Sequence, residues 1–155
     1  MQRVLSAIAL DYANDPLQSL VMRGIEFEVV WFDQDVVEYQ VTCSNGPFRG
    51  ATRMYLAHDD LSKTAEILSG FPSDIKDTRD VQLGAFELNV AGGGIHLSFR
   101  CIDSVGHSVV LVRLRADGCM GPAEPESVSL CWEARVFVCA LWLVYRFEEL
   151  ESRLS

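Results

Sequence analysis

Over residues 25–56 the dominant pattern is an alternation of apolar and polar side chains with a period of two. That period belongs to strands with one buried face; a helix repeats every 3.6 residues and would scatter the same apolar set around its surface. Ile25, Phe27, Val29 and Trp31 share one face. After the turn triplet Asp33-Gln34-Asp35, Val37, Tyr39, Val41 and Cys43 share the next. Folding about the triplet pairs Trp31 with Val37, Val29 with Tyr39, Phe27 with Val41 and Ile25 with Cys43. A second turn, Ser44-Asn45-Gly46-Pro47, carries the Asn-Gly hairpin signal. It pairs Cys43 with Phe48, Tyr39 with Thr52 and Val37 with Met54. The opposite face then sets Glu38 against Arg53, and Thr42 between Glu26 and Arg49. A slip of one residue would put the whole apolar set in water.

The scheme recurs further on. Ile95, Leu97, Phe99 and Cys101 alternate with His96, Ser98, Arg100 and Ile102. Folding about Ser104-Val105 pairs Ile95 with Leu114, Leu97 with Val112, Phe99 with Val110 and Cys101 with Ser108. His96 then faces Arg113, and Arg100 faces Val109, on the outer side. A shorter strand over 81–86, bent at Gly84, should precede this hairpin, and another over 127–132 should follow it. Asp59 or Asp60 can cap a first helix with Leu61, Ala65 and Leu68 as its stripe, stopped by Gly70-Phe71-Pro72. A second helix is expected over about 134–152, with Val136, Ala140, Leu143, Phe147 and Leu150 along one face. The expected fold is α+β: antiparallel sheet of six to seven strands with two helices, in the order βββα–βββ(β)α.

At 155 residues the chain suits one domain. We expect a single α+β domain over 25–155, preceded by an N-terminal extension over 1–24 that is compatible with a short helix. The first residues imitate a signal peptide only faintly, because Asp11 and Asp15 closely follow a minimal apolar stretch. The longest apolar run, 136–145, is half of what a bilayer requires. Five cysteines, an odd number without a Cys-x-x-Cys pair, read as free thiols in a reducing compartment. A cytoplasmic protein away from the membrane is the expectation. Twenty-two acidic residues against thirteen basic ones leave a net charge of −9, which disfavours binding to nucleic acid.

Catalytic signals are weak throughout. His58-Asp59-Asp60 contains metal-ligating types, but a strand end followed by a helix cap is the commoner use of such residues. Ala91-Gly92-Gly93-Gly94 lacks the Gly-Lys-Ser/Thr ending of a phosphate loop, and a strand follows where a helix should begin, so it reads as a turn. Cys101 and His107 fall on opposite faces of their hairpin and cannot act as a thiol–imidazole pair. His96, Arg100 and Arg113 share an outer sheet face, where they could hold an anion or serve a small-ligand site or enzyme. No metal and no cofactor are expected. What stands out is clustered acid: Asp33 and Asp35 in one turn, and Glu148 and Glu149 near the end of the last helix. Such carboxylates can steer a basic partner. The apolar run around Trp142 and Tyr145 exceeds one buried face. It calls for a homodimer, or for a helix held between the sheet and the N-terminal extension.

Phe48-Arg49-Gly50, Asp59-Asp60-Leu61, Gly70-Phe71-Pro72 and the run Gly92-Gly93-Gly94-Ile95-His96-Leu97-Ser98-Phe99-Arg100-Cys101 together resemble a family of small bacterial proteins akin to immunity proteins of wall-associated contact toxins. The similarity covers about residues 25–132. It implies two β-rich halves, no cofactor, and neutralisation of a toxin by direct binding; it carries over no site residues. The function expected is therefore a non-catalytic protein-binding module whose partner is a basic toxin domain, with Asp33, Asp35, Glu148 and Glu149 as contact residues. The alternatives are the ligand-binding or enzymatic use of His96, Arg100 and Arg113, and a structural or regulatory subunit.

Overall fold

The computed structural model describes residues 6–10, 23–47, 49–87, 90–105, 107–116 and 132–137. Among them the chain is mostly antiparallel sheet with one helix. The strands are β1 (Ser6–Leu10), β2 (Arg23–Phe32), β3 (Val37–Asn45) and β4 (Arg49–Leu56), then β5 (Thr78–Gly84), β6 (Gly94–Cys101), β7 (Ser108–Arg115) and β8 (Trp132–Phe137). Each set of four forms a meander sheet with its strands in chain order. The helix α1 (Asp60–Leu68) joins the two.

The inward faces of both sheets enter one core. Ile25, Phe27, Tyr39, Val41 and Met54 come from the first sheet; Val81, Ile95, Leu97, Phe99 and Val112 come from the second. Leu61, Ala65 and Leu68 add the apolar stripe of α1. Edge-to-face rings lock both halves: Phe27 on Tyr39 at 6.3 Å and Phe71 on Phe99 at 5.8 Å between centroids.

The hairpin of β6 and β7 has the register that alternation predicts, from Ile95 opposite Leu114 to Cys101 opposite Ser108. Its turn is held by the Asp103 carboxylate, which accepts the backbone N–H groups of Val105 and His107. In the first sheet Val29–Tyr39, Phe27–Val41 and Ile25–Cys43 also pair as expected. Two details differ. A bulge between Val29 and Trp31 places Trp31 opposite Glu38 and Phe32 opposite Val37, so Trp31 does not pair with Val37. The β3–β4 register is offset by two residues: Tyr39 faces Met54, Val37 faces Leu56 and Cys43 faces Gly50. An offset of two leaves every side chain on its expected face, which is why alternation alone could not detect it. Arg53 then lies opposite Gln40 and reaches Glu38 diagonally at 3.4 Å.

Three element assignments are corrected. Residues 6–10, expected in a helical extension, form a strand paired to β2 from Ser6–Glu28 to Leu10–Gly24. The strand before β6 is Thr78–Gly84, starting earlier than expected. The last helix does not begin at Ala134: Trp132–Phe137 is a strand antiparallel to β7, with Ala134 opposite Val112 and Val136 opposite Val110. A short apolar run fits either period, and the open edge of β7 decided it. Residues 127–131, the remainder of the expected C-terminal helix, Trp142, Tyr145, Glu148 and Glu149 lie outside the described residues. Among the described residues no helix is long and apolar enough to cross a membrane.

At its start, α1 uses its acids differently from a simple cap. The Asp60 carboxylate turns back to accept the Ala57 N–H at 2.8 Å, and Asp59 engages Lys63 at 2.8 Å. Neither caps the free helix N–H groups. At the other end Gly70, at φ 72°, turns the chain. Arg79 of β5 then donates to the carbonyls of Ile67 and Ser69, both at 2.6 Å, and so caps the helix from the neighbouring sheet.

Candidate functional site

The glycine run 92–94 belongs to the junction between the sheets. Gly93 donates its N–H to Arg53 O at 2.7 Å and accepts from Ala85 N at 2.9 Å. Thr52 Oγ1 donates to Arg115 O at 2.7 Å, and the buried Arg115 guanidinium donates to Ala85 O at 2.9 Å. A Cβ on Gly93 would overlap Thr52 Oγ1 and Arg115 O, and one on Gly94 would meet the Phe86 ring at 2.6 Å. These glycines allow β4 to approach the second sheet at backbone distance; they do not cradle a phosphate.

That junction sets the shape of the surface beside it. The β-bulge before Trp31 re-aims an indole that alternation assigned to the core. Trp31 is 45% and Phe32 51% exposed. Across the same row of the sheet, Trp31 faces Glu38 and Glu38 faces Tyr55, itself 43% exposed. Two aromatic side chains thus flank the Glu38 carboxylate, which is 14% exposed and paired with Arg53. Directly beyond is the turn containing Asp33 and Asp35. The backbone N–H groups of Asp35 and Val36 donate to Asp33 Oδ1 at 2.8 and 2.9 Å and hold its carboxyl below the usual range. His58 Nε2 lies 2.7 Å from Asp33 O and ties this tip to the β4–α1 turn. Asp33 therefore builds the turn, whereas the exposed Asp35 is available to a partner.

Tyr55 also opens the second part of the surface. A groove of about 650 Å³ runs between α1, β5 and the loop after it. Tyr55, Ile67 and Val90 supply its apolar lining, and Asp60, Asp80 and Glu87 its negative charge. Lys63, the basic group in the lining, is engaged by Asp59 and Asp60 on its own helix.

The outer face of the second sheet brings His96 opposite Arg113, as expected, with Arg100 four residues along β6. His96 Nε2 lies 3.3 Å from Asp80 Oδ1, and Ser98 Oγ donates to the same oxygen. Asp80 thus bridges the serine and the imidazole, so imidazole and hydroxyl are not arranged as base and nucleophile. None of His96, Arg100 and Arg113 lines the groove. Cys43 is buried, and desolvation pushes its thiol well above the ordinary range; Cys101 donates to Asp103 O at 3.1 Å. Among the described residues no three His, Cys, Asp or Glu side chains converge as a metal site.

Sequence reasoning did not place Trp31, Tyr55, Ile67 and Val90 on the surface. For two of them a signal existed: Tyr55 sits at an outward phase of β4, and Ile67 lies off the Leu61–Ala65–Leu68 stripe. For Trp31 there was none, because a bulge reverses the phase without changing composition. Fold and surface define a two-sheet antiparallel protein carrying an acidic, aromatic-studded face. No protein-family model, curated protein or solved structure matches the chain.

Proposed function

We propose that this chain is a non-catalytic protein-binding module of the immunity type, which neutralises a basic toxin domain by covering it. The observation that carries the reading is Trp31: a bulge turns a large aromatic side chain out of the core and sets it beside Glu38, Tyr55 and the Asp33–Asp35 turn. Exposed Trp and Tyr on a rigid sheet supply contact area at low entropic cost, and the exposed Asp35 carboxylate favours a cationic partner. The net charge of −9 extends that field over the molecule. With it goes an α+β classification and action in the cytoplasm.

The test is co-expression with a cytotoxic domain encoded beside the gene for this chain. The toxin alone should arrest growth, and the wild-type chain should restore it. Trp31→Ala and Asp35→Lys should lose rescue while keeping the wild-type melting temperature. Failure of the wild type to rescue, or full rescue by both variants, overturns the proposal.

A further inference from the structure

We propose that the groove beside α1 accepts an extended cationic peptide as an added strand on the edge of β5. This goes beyond the toxin-binding reading and does not depend on the hairpin tip. β5 is an edge strand of its sheet among the described residues. Residues 80–84 all line the groove, although Val81 and Leu83 point into the core and Asp80 and Gln82 point outward. Side chains of consecutive strand residues alternate between faces, so a groove lined by all of them runs along the strand edge. An edge presents backbone N–H and C=O groups to an incoming chain, which is the basis of recognition by strand addition.

The walls specify the occupant. On one side, α1 presents the exposed Ile67, with Asp60 already paired to Lys63; on the other, the loop presents the exposed Glu87 and Val90. Asp80, which also accepts from Ser98 and lies 3.3 Å from His96, adds a carboxylate on the outer face of β5 itself. A strand that alternates Lys or Arg with Val or Ile would place cations against these carboxylates and apolar groups against Ile67 and Val90. Tyr55, 43% exposed, adds an aromatic ring to the lining, a side chain that suits a cation. An acidic strand would meet Asp80 and Glu87 instead. Arg79 holds β5 to the end of α1, so the groove is formed before any peptide arrives.

The probe is an acetylated, amidated Lys-Val-Lys-Val-Lys-Val peptide, followed by fluorescence anisotropy and by hydrogen exchange of the full chain. Binding should raise protection of β5 amides within 80–84. A peptide of equal charge with proline at its central valine should bind far less well, because it lacks a ladder donor. A Glu-Val counterpart should not bind. Glu87→Lys, at an exposed position, should weaken the Lys-Val peptide about fivefold, as reversal of a solvent-exposed charge allows. Ile67→Lys, also exposed, should weaken it independently. Equal binding of the proline peptide would reduce the interaction to charge alone and overturn strand addition. Protection confined to residues around Trp31 would also overturn it, while leaving the hairpin-tip reading intact. Absence of binding by the wild-type chain at low salt overturns it outright.

Discussion

Phe99 and His96 are three residues apart on β6 and live in different solvents. Phe99 is buried against Phe71, whereas His96 is on the outer face beside Asp80. Phe99→Ala should cost about 3–5 kcal/mol, the loss of a buried ring plus the cavity it leaves. His96→Ala should stay within about 0.5 kcal/mol. Urea titration of both variants checks the pair, and equal effects would mean that the hairpin is inside out. Gly93 is a different case. It has no room for a methyl group between Thr52 Oγ1 and Arg115 O. Gly93→Ala should cost at least about 1–3 kcal/mol, because one side or the other must give up its backbone approach. The same substitution at Gly70 meets open space, and its cost there comes from the positive φ.

At the scale of elements, α1 is anchored by an ion pair at the start of β5. The two Asp77 carboxylate oxygens accept from Arg79 Nε at 3.3 Å and Nη2 at 3.0 Å, and the Ser73 N–H donates at 2.8 Å. The Arg79 guanidinium, then the Ser73 N–H, hold the Asp77 carboxyl down to about 2. An unfolded aspartate titrates near ~3.9. The native state therefore binds this proton less readily, so the contribution is complete above about pH 4 and disappears as pH falls toward 2. Asp77→Asn should lower the melting temperature at pH 7, and the gap between variant and wild type should close on acidification. A gap that stays constant from pH 7 to pH 2 would remove Asp77 from the account. Arg79 also stacks on Phe71 at 5.6 Å, so Arg79→Lys, which loses both the fork and the stacking, should loosen α1 from β5. Faster amide exchange over Asp60–Leu68 is the expected sign.

For the molecule as a whole, charge should act on encounter and aromatic contact on lifetime. Asp35→Lys should slow association with a basic partner and flatten its dependence on ionic strength. Trp31→Ala should instead speed dissociation. Asp33 is unsuited to this test despite its matching sequence position, since its carboxylate closes the turn and its loss would unfold the tip. Stopped-flow association at two salt concentrations separates the effects. An association rate for Asp35→Lys equal to wild type at low salt would show that this turn is not the point of encounter.

Much of the two-sheet arrangement is legible in the sequence, because burying one face of a strand forces a period of two and leaves one parity open to water. The β6–β7 register and most of the inward set of both meanders derive from that constraint, and the span of α1 from its helical stripe and the Gly70-Phe71-Pro72 stop. Of the candidate surface, Asp33 and Asp35 were read from the sequence, and the outward phases of Tyr55 and Ile67 were there to be read. Three features required the tertiary structure. Slipping β4 by two residues preserves parity, so packing at the sheet junction had to choose between Met54 and Thr52 opposite Tyr39. The run at 132–137 fits helix or strand, and the open edge of β7 selected the strand. Trp31 belongs to the core by phase and to the surface by geometry, since one extra residue in β2 rotates the residues after it. Alternation determines which residues share a face; contacts distant in sequence decide where a strand begins, which residue lies opposite and where the phase is broken.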